Sequence, residues 1–193
     1  EGIENENTGD KWNFNVNENN DIYIYLEKNS EYNKTEIIES VTINNFSIER
    51  VNETGTSKIY KPVMDEKRMF INSTENETTE ITYTGDLESN IKEQKISNQG
   101  GKIAFRYAID NISQYISQND EEINHSQLLK LTNIQKEDIE SNMSFDLTIK
   151  LKSGKIYQSK ISVQIPGEEI IEEGTKGIEI TDLQDIIFKR IED

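Results

Sequence analysis

Residues 145–165 read FDLTIKLKSGKIYQSKISVQI, and every second position up to Leu151 is large and apolar. Phe145, Leu147, Ile149 and Leu151 fall on one side of an extended chain and Asp146, Thr148 and Lys150 on the other, because successive strand side chains point to opposite faces. Lys152-Ser153-Gly154-Lys155 interrupts the pattern with a glycine that takes positive φ without steric cost. The alternation then restarts, with Tyr157, Ile161, Val163 and Ile165 facing opposite to Ile156, Lys160, Ser162 and Gln164. Two half-buried strands joined by a tight turn make an antiparallel hairpin, and Pro166 ends the second strand.

The same period recurs outward from this hairpin. Trp12, Phe14 and Val16 alternate with Asn residues, and Ile22, Ile24 and Leu26 face away from Tyr23 and Tyr25. Val41 and Ile43, an Asn44-Asn45 break, then Phe46 and Ile48 continue it, as do Ile81/Tyr83 and Ile103/Phe105/Tyr107/Ile109. Ile59, Lys61 and Val63 alternate with Tyr60 and Pro62, which places Pro62 on a sheet edge. A second hairpin is expected at Asn98–Gly101, joining Ile91–Ser97 to Lys102–Ile109. The fold class that follows is all-β and mainly antiparallel, a β-sandwich or jelly-roll-like fold with at most one or two short helices. Asn133 to Ser141 has room for a turn or two of helix, with Thr132 and Gln135 spaced as a capping box. Residues 182–191 fit either a helix, on the spacing of Leu183, Ile186, Ile187 and Ile191, or a closing strand, toward which the reading leans. The polar residues 1–10 read as a tether, and 11–193 as one sandwich domain, with two small sandwiches split near 86–90 as the alternative.

Ile dominates the apolar set, and Ala stands only at Ala104 and Ala108. β-branched side chains suit a pleated surface, whereas the best helix former is nearly missing. An AT-rich genome encodes the same bias, which points to a low-GC Gram-positive bacterium. The formal net charge of −16 excludes nucleic-acid partners, since phosphate binding rests on Lys and Arg. It also excludes docking on anionic lipid through a basic patch. The lack of cysteine removes disulfides, thiol catalysis and thiolate zinc sites. No stretch approaches the ~20 apolar residues of a membrane span. The chain opens at Glu1-Gly2 without Met, from which a removed N-terminal signal or transmembrane anchor and an extracytoplasmic location are expected.

Candidate sites are few. His125, the only histidine, lies in a polar run without a nucleophile elbow, so a solvated loop residue is expected. The acids fall in loops and on wet strand faces, and no pair stands out for glycoside hydrolysis, the third-ranked reading. Calcium is the cofactor the sequence allows, through hard oxygen ligands at Asn17–Asp21, Asp65-Glu66, Asp86/Glu88 and, first choice, Asn119, Asp120, Glu121 and Glu122. None of these fits an EF-hand loop. Tyr23, Tyr25 and Trp12 are the candidate ligand-binding aromatics, platforms for a glycan if exposed and core otherwise. Eight Asn-x-Ser/Thr sequons occur, several of them expected by chance in an Asn-, Ser- and Thr-rich chain, and no glycosylation is expected from them.

The stretches Asn98-Gln-Gly-Gly-Lys-Ile-Ala-Phe-Arg106 and Glu172-Glu-Gly-Thr to Ile187-Phe-Lys-Arg190, with the early tryptophan strand, resemble uncharacterised clostridial exported proteins. The resemblance implies an N-terminal membrane anchor followed by one β-rich domain outside the cell, and it specifies no chemistry. The functional expectation is an extracytoplasmic surface domain that acts by binding or as structure, not an enzyme, with a protein or glycan partner at the cell surface. A carbohydrate-binding module is the alternative.

Overall fold

The computed structural model describes residues 2–8, 11–27, 36–63, 67–85, 95–97, 100–117, 124–174, 176–180 and 186–191. The hairpin that the sequence marks most clearly is strands β7 (Ser141–Leu151) and β8 (Ile156–Ile165), with Phe145 opposite Ile161. Gly154 turns it at φ 84°. On the other flank of β7 lies β3 (Ile38–Arg50). Next to β3 is β5 (Ile81–Thr84), and β9 (Lys189–Ile191) closes the far edge beside β8. The order of this sheet is β5-β3-β7-β8-β9. The second sheet runs β1 (Gly2–Thr8), β2 (Lys11–Glu27), β6 (Gly100–Ile116), β4 (Thr56–Tyr60). The pairings among these nine strands are antiparallel, and the molecule is an all-β, sandwich-like fold.

The core lies between the sheets. Val16, Phe105, Tyr107 and Ile109 come from one sheet, and Val41, Ile43, Phe145 and Leu147 from the other, all essentially inaccessible. Phe105 and Phe145 meet across the gap, ring centroids 5.2 Å apart at 80°. That is the edge-to-face geometry the ring quadrupoles favour. A division near 86–90 would cut through both sheets, since β2 pairs with β6 and β3 with β7.

Four expectations are corrected. Gly2–Thr8, read as a tether, is hydrogen-bonded along Lys11–Asn17. An edge strand needs only backbone partners, which composition does not report. Three short helices are present rather than one or two: α1 (Leu128–Leu131), α2 (Lys136–Ile139) and α3 (Gly167–Glu173). Pro166 marks the start of α3, Glu168 and Glu169 occupy its first turn, and Gly174 closes it. The capping box belongs to Gln135 and Asp138, one step later than Thr132 and Gln135. β4 stops at Tyr60, short of the alternation that runs on to Val63. The leaning toward strand at the C-terminus holds for Lys189–Ile191, while 182–185 lie outside the described residues. Of the second hairpin, Ser97 bridges Gly100, and Asn98, Gln99 and Ile91–Gln94 lie outside the described residues.

Candidate functional site

β2 carries the aromatics singled out from sequence, and its alternation decides where they point. Ile22, Ile24 and Leu26 lie half-buried against the core, which sends Tyr23 and Tyr25 to the outer face. Tyr23 is 43% exposed and Tyr25 70%. In the register of β2 on β6, Lys102 stands opposite Tyr25, and its Nζ lies 5.1 Å from the centroid of the Tyr23 ring. This is a cation–π contact across a strand pair. Burial, and then the Asp21 carboxylate, push the Tyr23 phenol above its ordinary value.

Trp12 does not join them. It is 43% exposed, but it stands eleven positions earlier on the same strand. At ~3.3 Å per residue that is roughly 36 Å away, on the opposite face. Of the three candidate aromatics, Tyr23 and Tyr25 share one face and Trp12 stands apart.

The other end of the same outer face is covered. Arg106, opposite Asp21, grips its carboxylate with Nε at 2.6 Å and Nη2 at 3.0 Å. Its guanidinium also donates to Asn72 Oδ1 at 3.0 Å and lies 5.1 Å from the Phe70 ring centroid. Asn72 donates in turn to Asn19 Oδ1 at 2.9 Å and Asp110 Oδ1 at 3.0 Å, and the Tyr60 hydroxyl donates to Asp110 Oδ2. The segment between β4 and β5 is thus strapped over the sheet, with Phe70 buried beneath it. Every member of the network has a partner, so it fixes structure.

Asn17–Asp21, one of the sequence candidates for calcium, does not converge on a point. Glu18 points inward, opposite Ile109, while Asn19 and Asp21 are engaged outside. Glu18 is 3% exposed and accepts from Asn20 Nδ2 at 2.6 Å. Burial drives its carboxyl up to about 7. The other buried acid of this sheet, Asp110, is bonded on the outer side to Asn72 and Tyr60, so the two carboxyls do not share a site. Asn119, Asp120, Glu121 and Glu122 lie outside the described residues, as do Asp65, Glu66, Asp86 and Glu88. Among the described residues no group of three or more His, Asp or Glu side chains is placed to hold a metal ion. His125 is exposed at the start of a 3-10 turn, His125–Gln127.

An open groove of about 390 Å³ runs between β3 and β4, lined by Asn44, Asn45, Phe46, Ser57, Glu77 and Glu80. Part of its polar lining is engaged: Asn44 Nδ2 donates to Glu80 at 3.0 Å, Asn45 to Asp146 at 2.8 Å, and Lys58 pairs with Glu77 at 3.0 Å, while the buried Asn44 Oδ1 has no partner among the described residues. The candidate contact surface is the Tyr23–Tyr25–Lys102 patch, where two exposed rings share one face with a cation. The sequence placed the two tyrosines on one strand face. It did not show Lys102, which depends on a register set 77 positions away, nor Asn72, one amide in a polar loop. The chain matches no family model, no curated protein and no solved structure.

Proposed function

We propose that this chain is an extracytoplasmic surface domain that acts by binding rather than catalysis, with Tyr23, Tyr25 and Lys102 as its contact surface. The observation that carries the reading is the exposure of two tyrosines on one face, at 43% and 70%, beside a cation and away from the strapped half of the sheet. Tyrosine supplies large amphipathic contact area at low entropic cost, which is why it is enriched in binding surfaces. A glycan partner is the second reading, favoured by the same exposed ring faces.

The test is retention of the protein on cell envelopes of a low-GC Gram-positive bacterium, untreated and protease-stripped. A Tyr23→Ala/Tyr25→Ala variant should lose about tenfold or more in affinity while keeping its stability within ~0.5 kcal/mol, as surface changes do. Retention surviving protease treatment assigns the partner to glycan, and retention lost assigns it to protein. Equal binding by the variant overturns the contact surface.

A further inference from the structure

The strand that bears the tyrosines is also an open sheet edge. β1 pairs with β2 only along Lys11–Asn17, and among the described residues no strand lies beside Glu18–Glu27 on the side away from β6. Which backbone groups that edge offers follows from the ladder. The N–H and C=O of Ala104 both meet the Tyr83 hydroxyl, on the side of β6 away from β2. Ala104 and its partner Tyr23 are therefore a pair that exchanges no hydrogen bonds. By alternation, the N–H and C=O groups of Asp21, Tyr23 and Tyr25 face the open edge, while those of Ile22 and Ile24 are spent on β6. The stretch Ile22–Leu26 holds no Pro and no charged residue, the devices that ordinarily blunt an edge.

We infer that this edge receives an added β-strand from a basic partner protein, with Lys or Arg on its outer-facing positions and apolar residues between them. The inference rests on the reading of Tyr23 and Tyr25 as a contact surface and names the mode of binding. Two observations choose the occupant. A strand added at the edge repeats on its own side of β2 what β6 does on the other. Lys102 reaches the Tyr23 ring from β6, and a cation on the incoming strand meets the Tyr25 ring, which is 70% exposed, in the same way. Its alternate apolar residues extend the inner layer formed by Ile22, Ile24 and Leu26. The net charge of −16 attracts such a strand and repels a second copy of the chain.

The test is amide hydrogen exchange by NMR on the full chain, with the synthetic peptide KVKVKVK at millimolar concentration and EVEVEVE as the control. In the free chain the Ile22 and Ile24 amides should exchange slowly and those of Tyr23 and Tyr25 freely. The basic peptide should slow Tyr23 and Tyr25 by about tenfold or more, and the acidic peptide should not. Tyr23→Pro removes an N–H directed at the edge and no bond to β6, so it should keep the exchange pattern of Ile22 and Ile24 and lose the response. Slow Tyr23 and Tyr25 amides in the free chain overturn the inference; if dilution restores fast exchange, a second copy is the occupant. Peptide-induced shifts scattered over the surface without protection at these two amides overturn it too. If the peptide fails while envelope retention still depends on Tyr23 and Tyr25, strand addition falls and the binding reading stands. If both fail, both fall.

Discussion

The Tyr83 hydroxyl donates to the carbonyl of Ala104 at 2.6 Å and accepts from its N–H at 2.9 Å, so one side chain satisfies both backbone groups of a residue in the opposite sheet. The register explains why they need it. Tyr60 pairs with Arg106, so a continued β4 would set Pro62 opposite Ala104. Pro62 has no N–H to give. β4 ends, and a tyrosine from β5 stands in for the missing strand while joining the two layers.

Replacing Tyr83 by Phe keeps the ring and strands two buried backbone groups. The expected cost is about 1–3 kcal/mol, read by chemical denaturation at neutral pH. Burial, opposed by the bond to Ala104, pushes the phenol up to about 12 from 10.0. A raised acid contributes stability in full below its unfolded value and loses it as pH climbs through the folded one. The wild type should therefore weaken between about pH 10 and 12 more steeply than Tyr83→Phe. Parallel alkaline slopes would contradict the burial of the phenol.

Glu18 works in the same direction at ordinary pH. Its carboxyl, raised by burial from 4.5 to about 7, binds a proton in the folded state where the unfolded chain has released it. Stability present in full below the unfolded value is lost as pH rises through 7, on the order of 3 kcal/mol in all. Glu18→Gln keeps an acceptor for Asn20 and carries no charge. It should match wild type near pH 4 and exceed it near pH 8. A variant less stable than wild type at pH 8 would show that Glu18 is ionised and partnered.

What was legible in the sequence divides along the same physical line. The β7–β8 hairpin could be read because its alternation and its turn lie in one short stretch, with Gly154 marking the reversal. That Tyr23 and Tyr25 share the face opposite Ile22 and Ile24 followed from their period, but which face is wet is set by the packing of the second sheet. Glu18 was not legible, since it sits among polar residues that look like a wet loop. It is buried because β6 carries extra residues between Ile109 and Ser113 where β2 has one, a bulge pinned by Asn111, whose N–H donates to Asn17 Oδ1 at 2.7 Å. The strap of Asn72 on Asp110 likewise depends on pairings far apart in sequence. α3 left local signals in Pro166 and Gly174, but its short length hid them behind the strand pattern.

Asp138 should answer pH in the opposite sense. Burial alone would raise its carboxyl, but donors outweigh that and hold it below its ordinary value: Gln135 N–H at 2.9 Å, Thr54 Oγ1 at 2.8 Å and Asn52 Nδ2 at 3.0 Å. A lowered acid contributes stability above its unfolded value and loses it as pH falls through the folded one. Asp138→Ala strips the cap of α2 and the anchor of the β3 end, at about 1–3 kcal/mol at pH 7. The difference from wild type should shrink below pH 3.8, as measured by denaturation across the acid range. A constant difference would place the effect in packing.

Two glycines with positive φ separate conformational strain from close approach. Gly154 turns the β7–β8 hairpin at φ 84°, and a Cβ there would meet nothing within 4 Å. Gly154→Ala should cost only the left-handed penalty, about 1–2 kcal/mol. Gly100, at φ 120°, would bring its Cβ to 2.2 Å from the carbonyl oxygen of Leu26. That oxygen belongs to a strand held by β6, so the backbone cannot retreat without breaking the ladder beside Tyr25. Gly100→Ala should cost roughly 3 kcal/mol or more, and it should shift the amide resonances of Tyr25 and Leu26, which Gly154→Ala leaves in place. Equal costs for the two variants would mean that β2 and β6 do not meet as closely at Gly100 as this register requires.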